Sequence, residues 1–308
     1  MKLSIVATLY KSAPYIAEFH RRASAAARQL AGDDYEIVLV NDGSPDNSLE
    51  MAIALHEADP HTVVVDLSRN FGHHAAIVAG LETAKGERIF LIDCDLEEQP
   101  EWLAAFAEEM GRTGADVVFG TQEKRIHSKV TNFCGTLFWR ALNFMSEVKI
   151  PHNPMTCRLM TREYVEALLK INDKVLFLGG IFAWAGFKQH ALPLVKCASR
   201  IDKSTYTLSK KLLLVINSFS SFSAAPLYMI FISGVCICAA SLLYAAYLAI
   251  YKLLHPGEIL SGFTSIMFSI WFLSGIIVMS LGVIGLYLAK IFKESKNRPI
   301  FIIKKIYK

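Results

Sequence analysis

The sequence predicts an α/β domain on a mostly parallel, Rossmann-like sheet, followed by an interfacial amphipathic helix and two C-terminal transmembrane helices. Three observations carry this. Short β-branched runs alternate with amphipathic stretches from Leu3 to Arg112, the pattern of strands joined by crossover helices. Acidic residues gather where those runs end. Charge is also unevenly spread: 60 of 308 residues are Lys, Arg, Asp or Glu, yet Leu212 to Ala289 carries only Lys252 and Glu258. Its uncharged runs of 40 and 31 residues exceed the roughly 20 that a spanning helix needs, which excludes a purely soluble protein.

Leu3 to Leu9 reads as the first strand, and Ser12 with Pro14 opens an Ala-rich helix that runs to Gly32. Tyr35 to Asn41 is the second strand, after which Ser44 or Asp46 can cap a helix reaching Glu57. Thr62 to Leu67 is a third strand, Phe71 to Lys85 a helix stopped by Gly86, Arg88 to Asp93 a fourth strand, and Glu101 to Arg112 a helix. Asp116 to Gly120 reads as another strand and Lys129 to Met145 as a helix, with Cys157 to Met160 and Gln189 to Val195 as antiparallel edge strands.

This first domain is expected to span 1–205. In 206–223, Lys210 and Lys211 precede a periodic mixture of Leu, Ile, Phe and Ser that suits a helix lying in the membrane interface; a buried apolar helix is the alternative. Spans are expected over 227–251, just after Pro226, and 263–289, joined by a short loop. Lys210 and Lys211 precede the pair, and seven Lys or Arg residues lie in the basic tail 290–308. The positive-inside rule then places the domain and both ends in the cytoplasm, on the inner membrane.

A net charge of +4 is too small and dispersed to argue for nucleic acid. Six cysteines without a CxxC pair read as reduced thiols of a cytosolic domain. The N-terminus lacks a long apolar core and reads as a strand rather than a signal peptide.

In open α/β sheets, ligands bind outside the carboxyl ends of the strands. There the sequence places Asn41-Asp42-Gly43-Ser44 and Asp93-Cys94-Asp95. Two carboxylates so spaced can hold a hard divalent cation that completes its shell with phosphate oxygens and water. The absence of GxGxxG and GxxxxGK[ST] loops disfavours a dinucleotide site or a P-loop. His73 and His74 read as helix-start packing.

The ordered set Ala7-Thr8-Leu9-Tyr10-Lys11, Val40-Asn41-Asp42-Gly43-Ser44-Pro45-Asp46, Leu67-Ser68-Arg69-Asn70-Phe71-Gly72, Leu91-Ile92-Asp93-Cys94-Asp95, Arg158-Leu159-Met160, Trp184-Ala185-Gly186 and Ser220 to Leu227 resembles the family 2, GT-A fold glycosyltransferases. It is most similar to those that load sugars onto polyprenyl phosphates, such as dolichyl-phosphate mannose synthases and the bacterial undecaprenyl-phosphate glucosyl and aminoarabinosyl transferases. The resemblance implies that Thr8, Tyr10, Asp42, Ser44, Arg69, Asn70 and Asp93 bind the nucleotide-sugar. It implies that Asp93 and Asp95 serve Mg²⁺ or Mn²⁺, with Asp95 the direct ligand. Arg125, Arg158 and Arg200 would act in catalysis, with Arg158, Arg200, Lys203 and Ser204 meeting the acceptor phosphate. Metal and arginine forks stabilise charge where two phosphate-bearing molecules meet.

Three positions depart from the family pattern: Thr156 where an acid is expected, Gln122 where a base is frequent, and Thr205 in place of Lys. An already anionic lipid phosphate needs no general base, whereas a sugar hydroxyl would; His152, Glu97 and Glu98 are the nearby candidates. The expected function is inverting transfer from a nucleotide-sugar, UDP-linked, to undecaprenyl phosphate, for cell-envelope or O-antigen glycan modification. Transfer to a hydroxyl of a lipid-linked saccharide and a non-catalytic membrane scaffold are the rivals. Homo-oligomers are common in the resembled group, though no residue here points to one.

Overall fold

The computed structural model describes residues 1–122, 154–171, 173, 178–195, 225–254 and 262–308. The chain begins β1 (Leu3–Leu9), α1 (Ile16–Ala31), β2 (Tyr35–Asn41), α2 (Ser48–Ala58), β3 (Thr62–Leu67), α3 (His73–Thr83), β4 (Arg88–Leu91) and α4 (Trp102–Thr113). It continues through β5 (Val117–Gln122), β6 (Pro154–Thr161), α5 (Arg162–Leu169), α6 (Leu178–Trp184) and β7 (Gln189–Leu194). Two long helices, α7 (Ala225–Leu254) and α8 (Phe263–Ser295), precede a final strand β8 (Ile303–Tyr307).

All eight strands form one sheet in the order β7-β5-β6-β4-β1-β2-β3-β8. β1 runs parallel to β2 and β4, and β2 parallel to β3, as expected of strands linked by crossover helices. Alternation along each strand divides the core. Ile5, Ala7, Leu9, Ile37 and Leu39 face α1, α2 and α4, where Phe106 meets Phe90 edge-on at 5.4 Å. Val6, Val38, Val40 and Leu91 face α3, α5 and α6. α4 stops at Gly114, whose φ of 60° suits a left-handed C-terminal cap.

Two strand assignments need correction. β6 was expected at an edge but lies inside the sheet, antiparallel to both β4 and β5. Its residues Cys157, Leu159 and Met160 are all buried, so neither face is free for solvent. β7 is an edge strand, but it runs parallel to β5. Its side chains are half-buried or exposed throughout, which fits one open flank.

The C-terminus also differs from the expected free tail. After α8 the chain returns to the sheet, and β8 pairs antiparallel with β3. Ile303 and Ile306 pack on the second core, while Lys304 and Lys305 stay exposed and dress the new edge. Within α8, Phe272–Ser295 is long and apolar enough to cross a membrane, with a mean hydropathy of 2.2 and none of it buried. Phe231, Leu243 and Ile250 of α7 and Val278 and Leu281 of α8 are likewise exposed, an apolar surface that water does not favour. The interfacial helix expected over 206–223 and the helix expected over Lys129 to Met145 lie outside the described residues.

Candidate active site

The carboxyl ends of β1, β2 and β4 converge, and each delivers part of one site. At the end of β2, Asp42 is 2% exposed. Its Oδ1 accepts the Phe71 N–H at 2.7 Å and its Oδ2 the Gly72 N–H at 3.0 Å. Burial pushes its pKa up, against the lowering effect of those two bonds. Both oxygens are therefore engaged in shaping the 69–72 loop. Gly43 has a φ of 57°, and a Cβ there would come 2.4 Å from the Asn70 nitrogen. Close passage of the two loops requires glycine.

That loop presents Arg69 and Asn70 to solvent. The Arg69 guanidinium stacks on Phe71 at 4.1 Å and donates to the Asn70 carbonyl at 3.0 Å, which restrains the exposed side chain. Asn41 donates to Asp66 at 2.8 Å and accepts from the Ser44 N–H at 3.2 Å. Ser44 accepts the Lys11 N–H at 2.7 Å and donates to Asp46. Its hydroxyl thus joins the loops after β1 and β2. Tyr10, 48% exposed, stands at the mouth of the same edge.

Asp93 and Asp95 follow β4 in alternation. Ile92, Cys94 and Leu96 turn into the first core, so the two carboxylates project to the opposite side, half-buried. Burial and the two flanking charges raise the Cys94 pKa strongly, so the residue between them is an inert thiol. Asp95 Oδ1 accepts the Glu97 N–H at 3.0 Å, and Leu96 holds a φ of 62°. A bulky residue in the left-handed region is strained, a condition common where a loop is held for function.

A model of glycosyl transferase family 2 matches residues 4–169. The chain belongs to that family and is a glycosyltransferase. A protein of Mycobacterium tuberculosis (strain CDC 1551 / Oshkosh) named "Putative glycosyltransferases" is 40% identical over 307 residues, covering 100% of this chain and 89% of its own length. The SfII prophage-derived bactoprenol glucosyl transferase of Shigella flexneri is 32% identical over 309 residues, covering 100% and 99%. Among solved structures, the glucosyl-3-phosphoglycerate synthase of Mycobacterium tuberculosis in complex with Mn²⁺, UDP-glucose and phosphoglyceric acid has a TM-score of 0.48 at 18% identity, over 71% of this chain and 77% of its own.

Within this family 2 domain, Arg158 lies on β6, opposite Leu91 of β4. It is 5% exposed, its guanidinium lies 3.5 Å from the Phe182 ring, and its Nε and Nη2 donate to the Thr156 and Met155 carbonyls. Burial lowers its pKa, while Tyr164, Cys157, Glu98 and Asp93 act to raise it. It supplies fixed positive charge beneath the acids. Glu98, fully buried, accepts the Thr156 N–H at 3.1 Å and so ties the loop after β4 to β6. Arg125, Arg200, Lys203, Ser204 and His152 lie outside the described residues.

His73 was assigned to helix-start packing, yet it stands in the site. Its Nδ1 lies 3.1 Å from Thr8 Oγ1 and its Nε2 3.5 Å from Asp93 Oδ1. The signal for it was positional. A crossover helix starts near the carboxyl edge of the sheet, so the first residue of α3 belongs beside the acids that follow β4.

Among the described residues, no group of three or more His, Cys, Asp or Glu gathers as a complete metal cage. Asp93 and Asp95, half-buried on one side of the loop, do fit a cation that takes one or two carboxylates and completes its shell with phosphate oxygens and water.

Proposed function

We propose that the chain transfers a sugar from a UDP-sugar to the phosphate of a polyprenyl lipid, inverting the anomeric carbon. The single observation that carries this is the division of labour among three acids on one sheet edge. Asp42 is turned inward to hold the Arg69–Asn70 loop, while Asp93 and Asp95 stand half-buried together on one side of the loop after β4. Similarity along the whole chain to a bactoprenol glucosyl transferase supports a lipid phosphate as acceptor.

In this reading Thr8, Tyr10, Arg69 and Asn70 line the nucleoside, and Asp42 and Ser44 shape the loops around it. Asp93 and Asp95 hold Mg²⁺ or Mn²⁺, which when bound neutralises the departing diphosphate. Arg125, Arg200, Lys203 and Ser204 receive the donor diphosphate and the acceptor phosphate, with the buried Arg158 adding charge from below. An acceptor phosphate oxygen attacks C1 as the bond from C1 to the UDP oxygen breaks. The nucleophile is already anionic, so Thr156 in place of an acid leaves the chemistry intact.

α7 and α8 act as two spans that hold the catalytic domain at the membrane. In this reading the domain and both ends are cytoplasmic, which the basic residues before and after the pair support by the positive-inside rule. The test is direct. Membranes containing the protein receive labelled UDP-sugars, undecaprenyl phosphate and Mn²⁺, and lipid-linked product is resolved by chromatography. A lipid-phosphate-sugar is expected, and Thr156→Asp should match or exceed the unmodified protein. Absence of product with every common UDP-sugar refutes the reading.

A further inference from the structure

We infer that His73 is a positioning residue of the donor site, relaying between Thr8 and Asp93 so that the Asp93 carboxylate is presented to the donor's metal-diphosphate group. The inference rests on the proposed donor-site role of Asp93 and adds a residue to it.

The sheet register brings the three groups together. β1 and β4 pair in parallel with Val6 opposite Leu91, and Ile92 donates to the Val6 carbonyl at 3.1 Å. Two residues further along the chain lie Thr8, still on β1, and Asp93, just beyond the end of β4. Val6 and Leu91 both face the core beneath α3, so by the two-residue period Thr8 and Asp93 face that side as well. α3 begins at His73, directly over them.

The two contacts are compatible with one tautomer. A carboxylate only accepts, so the Nε2–H tautomer turns its proton toward Asp93 Oδ1 at 3.5 Å, an ion-pair distance, and leaves Nδ1 to accept from the Thr8 hydroxyl at 3.1 Å. One oxygen of Asp93 is oriented by the imidazole and the other is left for the ligand. Such outer partners commonly fix the geometry of a metal-side ligand. The His73 side chain is 48% exposed and Asp93 23%, so the imidazole contributes little to the core and can be changed without unfolding the domain.

The experiment measures Mn²⁺-dependent UDP binding to the purified full-length protein by calorimetry, with thermal melting alongside. His73→Ala should weaken binding about 10-fold with an unchanged melting temperature. His73→Gln, whose amide can donate to Asp93, should keep most of the affinity. Wild-type binding by His73→Ala, or a loss of affinity in His73→Gln equal to that of His73→Ala, overturns the inference. Asp95→Ala separates the two levels. If it abolishes binding while His73→Ala does not weaken it, only the relay fails; if it binds normally, the metal-side reading fails and the relay falls with it.

Discussion

The two ends of the sheet use the same residue types for opposite purposes. At the amino ends, the Ser4 hydroxyl donates to Glu36 at 2.6 Å, and Glu36 and Ser4 in turn accept the Lys85 and Gly86 N–H groups at 2.6 and 2.7 Å. Arg162 closes the same end by donating to the Ala84 and Gly86 carbonyls at 2.9 and 2.6 Å. Ser4, Glu36 and Arg162 there direct their hydrogen bonds to protein partners. At the carboxyl ends, Thr8, His73, Asp93 and Asp95 stand partly open, and Lys11 and Leu96 hold φ angles of 55° and 62°. One end spends its polarity on closure; the other keeps it, with some strain, for a ligand.

The sharpest way to break this contrast is at the open end. Asp95→Ala should lower sugar transfer at least about 100-fold with no loss of thermal stability, as read by product formation and melting curves. Full activity in that variant would remove the reason for calling this end functional. Gly43→Ala should cost about 1–3 kcal/mol in denaturant unfolding and also weaken UDP binding, because its Cβ would displace the Asn70 backbone.

The closed end should respond in one respect only. Ser4→Ala strands the buried Gly86 N–H, so a loss of about 1–3 kcal/mol in unfolding is expected while the KM for donor stays unchanged. The smallest expected effect is a pH dependence from the neighbouring His20–Asp59–His61 cluster. Burial holds the His20 pKa below its ordinary 6.5 despite the opposing pull of Asp59, so the folded state binds fewer protons and stability falls as pH drops through 6.5. Burial raises the Asp59 pKa, but hydrogen bonds from His61 outweigh it and leave the carboxyl below its ordinary 3.8. That contribution is present above 3.8 and lost as the pH falls through the lower folded value. Melting curves of His20→Gln should lack the first decline and keep the second.

The parallel half of the fold was legible because β1 to β4 are largely buried, mostly apolar runs separated by helices. β6 and β7 were harder. A buried run does not reveal its neighbours, and antiparallel or parallel pairing is a property of the partner strand. β8 escaped notice because its five residues include two lysines and follow a basic stretch, so local composition reads as tail. At the site, Asp93 and Asp95 were legible from position alone. The inward turn of Asp42 and the burial of Arg158 were not, since both depend on backbone donors and a phenylalanine brought from distant segments. The interfacial helix and four of the predicted anion-binding residues fall outside the described chain.

The return of β8 to β3 has a consequence for biogenesis. The outer flank of β3 acquires its partner only after the ribosome has produced both apolar helices and the residues beyond them. Until then β3, next to last in the sheet, shows unpaired backbone along that flank, and completion of the sheet waits upon the apolar segment. A chain in which β8 fails to dock would carry that open flank with it, an aggregation-prone edge that cellular quality control can detect.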